Sequence, residues 1–218
     1  MLPSVLALIA IATSATAACL ASFRRDRNGV LLFKPLTTVI VIVAALWLFV
    51  PAARPYQDII LLGLALSLAG DVFLMSTANR FLWGLASFLL AHIAYVWAFT
   101  LGVGWAPAQL RWLAPFAFFG LMVVAYLWRG LEGAVLKGAV VAYVLVIVAM
   151  AWRTAVRVQS PAVPSPSGAA ALAGACLFLA SDSVLAVDRF RRPFRLAQPI
   201  TFATYWAAQA LIAFSVRM

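Results

Sequence analysis

The sequence predicts an all-α, polytopic integral membrane protein: one bundle of eight transmembrane helices over residues 1–218, with two four-helix halves in view. Three observations predict it. The chain is 66% hydrophobic and only 10% charged, a balance that leaves too little polar surface to face water. Apolar runs of about 20 residues, each long enough to cross a bilayer, recur from end to end. The basic residues that give the net charge of +10 lie mostly between these runs. That placement reads as membrane topology and contact with anionic lipid, not nucleic-acid binding, since no basic–aromatic RNA or DNA motif accompanies it.

The spans fall at about 2–22, 31–50, 57–76, 80–101, 111–128, 133–152, 168–188 and 196–216. The first contains Ala15-Thr16-Ala17, which resembles a signal-peptide cleavage site, but no Lys or Arg precedes the run, so it is expected to be retained. The second opens on Lys34-Pro35-Leu36. Lys34 either snorkels to the interface or binds a phosphate there. The third carries Asp71 in LSLAGDVFLM, and Asn79 is the expected N-cap of the fourth. The fourth carries His92 and, one turn on, Tyr95. The fifth and sixth hold no acid, the seventh carries Asp182 in LFLASDSVLA, and the eighth carries the i,i+4 pair Tyr205 and Gln209. Breaker-rich connections separate them, the longest being the Pro- and Ser-rich 159–167. Helices are expected because lipid leaves no partner for an unpaired backbone group, and these runs are too long and too evenly apolar for barrel strands.

Eleven Lys and Arg flank the odd-numbered loops and five flank the even ones, Arg217 among the five. The positive-inside rule therefore places the odd loops in the cytoplasm and both termini outside the cytoplasmic membrane. On this topology Asp71 and Asp182 lie on parallel helices at nearly equal depth, roughly 7–9 Å from the inner boundary. Their 111-residue separation and the shared Leu-x-Leu-Ala-[Gly/Ser]-Asp pattern suggest a repeat of four helices. Gly63, Gly70 and Gly84 are expected to let helices approach closely.

Each ionised aspartate in the membrane costs about 2.5–3.5 kcal/mol to insert, so a matched pair asks for a reason. Two carboxyl groups in one apolar cavity can share a proton, one neutral and one ionised, which general acid–base catalysis requires. Ion or proton transport and simple interhelical bonding remain open. His92 is either a site residue or a hydrogen-bonded interior group, and Tyr205 with Gln209 either line the same cavity or pair helices. One histidine and two separated cysteines make no metal pattern, and no P-loop, GxSxG, HExxH or dinucleotide fingerprint is present.

GDVFLM (Gly70 to Met75), FLWGLASFLLAHIAY (Phe81 to Tyr95), FLASDSVLA (Phe178 to Ala186), TYWAAQALI (Thr204 to Ile212) and Lys34-Pro35-Leu36 together resemble the YhhN, or lysoplasmalogenase, family over nearly the whole chain. The resemblance implies hydrolysis of the vinyl ether bond of lysoplasmalogens to a fatty aldehyde and a glycerophospho-choline or -ethanolamine. It makes Asp71 and Asp182 catalytic, without metal or cofactor, and a lysophospholipid the partner. The working assignment takes Asp182 as acid and Asp71 as base, and the sequence alone leaves the two interchangeable. Lys34, His92, Tyr95, Tyr205 and Gln209 are the candidate substrate-binding residues. The rival readings are an intramembrane aspartyl protease, against which the Leu-Ala-Gly-Asp context speaks, and a small-solute or proton-coupled transporter, against which the absence of proline from the third and seventh spans speaks.

Overall fold

A computed structural model describes residues 2–47, 53–76 and 80–216. The end of the second predicted span (48–50), Asn79 and Arg217 lie outside them. The described residues form eight long helices and no strand: α1 (Leu2–Phe23), α2 (Arg27–Trp47), α3 (Arg54–Met75), α4 (Phe81–Thr100), α5 (Leu113–Leu127), α6 (Ala134–Val158), α7 (Ser165–Phe190) and α8 (Ala197–Phe214). Seven of these segments are long and apolar enough to cross a membrane, α5 counting together with the 3-10 turns that extend it to Pro107–Gly130. The chain is a multi-pass membrane protein.

The helix ends refine the sequence expectation. α2 begins four residues early because Asp26 caps it, its Oδ1 accepting from Gly29 N at 3.1 Å and its carbonyl from Val30 N at 3.1 Å. Pro35 sits inside α2, where Thr37 donates its hydroxyl to Phe33 O at 2.7 Å. α6 runs six residues past its predicted end and α7 starts three early, which shortens the Pro/Ser loop between them. α8, at 18 residues, is the eighth expected span but is not among the seven. Its polar residues are tolerated because it packs on α1, α2, α3 and α7 and turns little of itself outward.

Contacts between neighbours run α3–α4–α6–α7–α8–α1–α2 and back to α3, a closed ring. α5 stands outside it on α6, with only Gly120 and Leu127 buried. The tightest seams are α3–α4 and α7–α8. Glycine makes the first possible. A Cβ on Gly63 would lie 2.2 Å from the Tyr95 ring, and one on Gly70 would lie 2.6 Å from Phe88.

At the other end of α4 two arginines of α6, read from the sequence as topology signals, prove to be buried at 5% and 7% exposure. Arg153 Nε donates to Thr100 Oγ1 at 3.2 Å, and Arg157 Nη1 donates to Leu101 O at 3.0 Å. Arg157 also lies 4.3 Å over the Tyr56 ring. Cations on the C-terminal carbonyls of a helix complement its dipole, so the pair latches α6 to α4.

Gly63→Ala forces the Tyr95 ring away from α3 and is expected to destabilise the protein by about 1–3 kcal/mol. A lowered midpoint of thermal unfolding in detergent measures it.

Candidate active site

A cavity of about 660 Å³ opens at the arginine-rich end of the bundle, and both Asp71 and Asp182 line it. α3 and α7 bring them in. Each aspartate lies in the last turns of its helix, followed by a polar break at Ser76 and by the charged run from Asp188 onward. The rest of the wall is largely apolar, with Leu85 and Phe88 of α4, Phe119 and Val123 of α5, and Val144 and Ile147 of α6.

The two carboxyl groups have different settings. Asp71 is 1% exposed and has three donors from two other helices. Lys34 Nζ stands 3.3 Å from Oδ1, while Thr38 Oγ1 and the Tyr205 hydroxyl donate to Oδ2 at 2.8 and 2.9 Å. Thr38 in turn accepts from Trp206 Nε1 at 3.2 Å, and Lys34 lies 5.5 Å over the Phe202 ring. An ammonium and two hydroxyls converging on one buried carboxyl is the setting of an ionised carboxylate. Asp182, with 16% of its side chain exposed, accepts from the Tyr143 hydroxyl at 2.5 Å. His92 Nε2 lies 3.7 Å from the same Oδ2. His92 Nδ1 is 2.6 Å from Phe88 O, a group that can only accept, so Nδ1 carries hydrogen and Nε2 faces Asp182 with its lone pair in the neutral ring. Asp182 therefore meets one donor and one acceptor, whereas Asp71 meets donors alone. Aromatic rings fill the space between the two settings, with Phe178 packed 4.5 Å from His92 and 5.4 Å from Tyr205.

The residues singled out in the sequence divide into two groups. Asp71, Asp182, Lys34 and Tyr205 line the cavity. His92, Tyr95 and Gln209 stand behind its wall: Tyr95 donates to Gln209 Oε1 at 2.7 Å between α4 and α8, and His92 is 1% exposed. Lys34 does not snorkel, because it is buried at 8% exposure against Asp71. Sequence reading missed Thr38 and Tyr143. Thr38 follows Lys34 at i,i+4, a spacing that puts both on one face, and Tyr143 is the one polar side chain in the aliphatic stretch VVAYVLVIV.

The YhhN family model matches residues 29–216. This chain belongs to the YhhN family. It is 35% identical to the human lysoplasmalogenase TMEM86B over 182 residues, 81% of this chain and 71% of the relative's length. It is 34% identical to the Bos taurus lysoplasmalogenase TMEM86A over 179 residues, covering 78% and 72%. Over 213 residues it is 29% identical to an uncharacterized membrane protein YhhN of Escherichia coli O157:H7, covering 95% and 97%. No solved structure matches the chain. In this member of the YhhN family the Lys34–Asp71 pair is the most deeply buried ion pair among the described residues.

Lys34→Met strands the Asp71 charge in the core and is expected to destabilise the protein by about 3–5 kcal/mol. Lys34→Met with Asp71→Asn removes both charges and is expected to recover most of that loss. A double-mutant cycle on thermal unfolding in detergent reads the coupling directly.

Proposed function

We propose that this chain is a lysoplasmalogenase that hydrolyses the vinyl ether bond of 1-alkenyl-glycerophospholipids, releasing a fatty aldehyde and a glycerophospho-base. The observation that carries this reading is the single cavity lined by two aspartates in unlike hydrogen-bond settings, in a chain akin to lysoplasmalogenases. The unlike settings support Asp182 as the acid and Asp71 as the base. Asp182 gives its proton to the alkene carbon remote from oxygen, which leaves an oxocarbenium ion. Asp71, held by Lys34, Thr38 and Tyr205, faces that positive charge and accepts a proton from the attacking water. The resulting hemiacetal collapses to aldehyde and alcohol as Asp71 passes the proton it took from water to the departing glycerol oxygen and the hemiacetal hydroxyl gives its own to Asp182; both acids are restored and one water is consumed. Glycoside hydrolysis between two carboxyl groups follows the same logic. Tyr143 positions Asp182, and His92 supports it from behind.

The same reading makes the protein one eight-span domain of two four-helix halves, with both termini outside the cytoplasmic membrane and the cavity at its inner face. The pairing of helices supports the halves: α3–α4 matches α7–α8, and α1–α2 matches α5–α6. In each half the aspartate of the third helix accepts from a hydroxyl of the second, Thr38 in one and Tyr143 in the other. A single-chain lipid has a lateral way in, because α4 and α5 both line the cavity yet form no packed seam between them.

Purified protein incubated with choline and ethanolamine lysoplasmalogens is expected to release fatty aldehyde, and 1-acyl lysolipids are expected to release none. Asp182→Asn keeps the size of the side chain and should abolish release at an unchanged unfolding temperature; full activity in that variant would refute the mechanism. Tyr143→Phe removes a hydrogen bond that strengthens as Asp182 loses its proton, and it should lower kcat by about 10- to 100-fold.

A further inference from the structure

We infer that the mouth of the cavity reads a zwitterionic headgroup, Arg80 and Arg189 taking the phosphate and Asp188 the amine. This rests on the lysolipid reading above. All three residues line the same opening as the two aspartates. Lys34, the other cation of the lining, is engaged by Asp71 and leaves the phosphate to the arginines.

Aromatic packing sets the start of α4, where Arg80 stands, against the end of α7 that carries Arg189. Arg80 immediately precedes α4, and the next residue, Phe81, meets Phe190 edge-on at 5.6 Å. The Arg189 guanidinium lies 5.1 Å over that same Phe81 ring. Stacking occupies the face of a guanidinium and leaves its in-plane N–H donors for phosphate oxygens. Neither arginine has an ion-pair partner among the described residues. Asp188 has none either; its Oδ1 accepts from Phe194 N at 3.0 Å, and its second oxygen is the complement of an ammonium.

The spacing fits the chemistry. Arg189 follows Asp182 by seven residues, two helical turns, so both lie on one face of α7 about 10 Å apart along its axis. An extended glycerophosphate arm, five bonds from phosphorus to the ether oxygen on the first glycerol carbon, covers a little over half of that distance, and the long Arg189 side chain, tilted back toward the helix N-terminus, covers the rest. A lipid anchored at the mouth therefore presents the vinyl ether at the depth of the aspartates. Two guanidiniums beside one carboxylate match a phosphate joined to an amine better than a bare phosphate or a neutral glycerol.

The test uses four lipids with one alkenyl chain: the ethanolamine and choline lysoplasmalogens, the alkenyl-glycerophosphate and the phosphate-free alkenylglycerol. For Arg80→Gln and Arg189→Gln, the preference for the phospho-bases over the alkenylglycerol, read as the ratio of kcat/KM, is expected to fall about 10-fold through KM. Arg189→Lys should restore part of it. Asp188→Asn should move the preference from the phospho-bases toward the alkenyl-glycerophosphate. Ratios within twofold of the wild type in all of these variants would overturn the headgroup inference while aldehyde release continues. Aldehyde from none of the four lipids in the wild type would overturn the lysolipid reading itself.

Discussion

A carboxylate at 1% exposure in an apolar bundle needs its charge met on the spot, and the Lys34–Asp71 pair at 3.3 Å meets it. Much of the architecture around the cavity follows from that requirement. α2 must place Lys34 and Thr38 on the face turned to α3, which their i,i+4 spacing does. α8 must come close enough to α3 for the Tyr205 hydroxyl to reach the same carboxyl, and it does so as the helix with the most interior position. An ion pair buried this way is not a source of stability relative to apolar residues of equal volume, since desolvation offsets most of the attraction. Its retention in the cavity wall is better understood as keeping a fixed negative charge beside a reactive space.

The second carboxyl is held differently because its surroundings are different. Asp182 keeps some exposure to the cavity and has a phenol on one side and an imidazole lone pair on the other. The aromatic rings between the two acids, Phe88 and Phe178 with Tyr205, keep the settings separate while both open on one volume. One fold thus provides two carboxyl groups with unlike partners on one cavity, and unlike surroundings are what let identical residue types behave differently.

The eight helices were legible because each apolar run stands between turn and charge signals, and the two aspartates were legible because each stands well inside its span, whereas the other charges there, Asp58 and Asp188, lie at the ends. Less could be read about which helix faces which. In a soluble protein the apolar stripe points inward, but in lipid both faces are apolar, so the periodicity that locates a core is weak. Hence the sequence did not show that α5 stands outside the ring, nor that α8 packs against four other helices of it. Polar side chains are the remaining markers of the interior, and they mark it well at Lys34, Tyr205 and Gln209. Thr38 and Tyr143 carry the same kind of mark less visibly, since a hydroxyl in a membrane helix can also bond its own backbone, as Thr37 does. Arg153 and Arg157 were legible only in part: a span-end arginine reads as a topology signal, and only the bonds to Thr100 Oγ1 and Leu101 O at the C-terminal end of α4 reveal them as a latch.

That latch has a mechanical consequence. It ties α4 to α6 at one end, while at the other end α4 borders the cavity and shares no packed seam with α5. With that tip fixed and the seam to α3 closed along the helix, including its cavity-side half at Gly70 and Gly84, α4 yields most readily on the flank that faces α5, and any widening of the pocket is directed there.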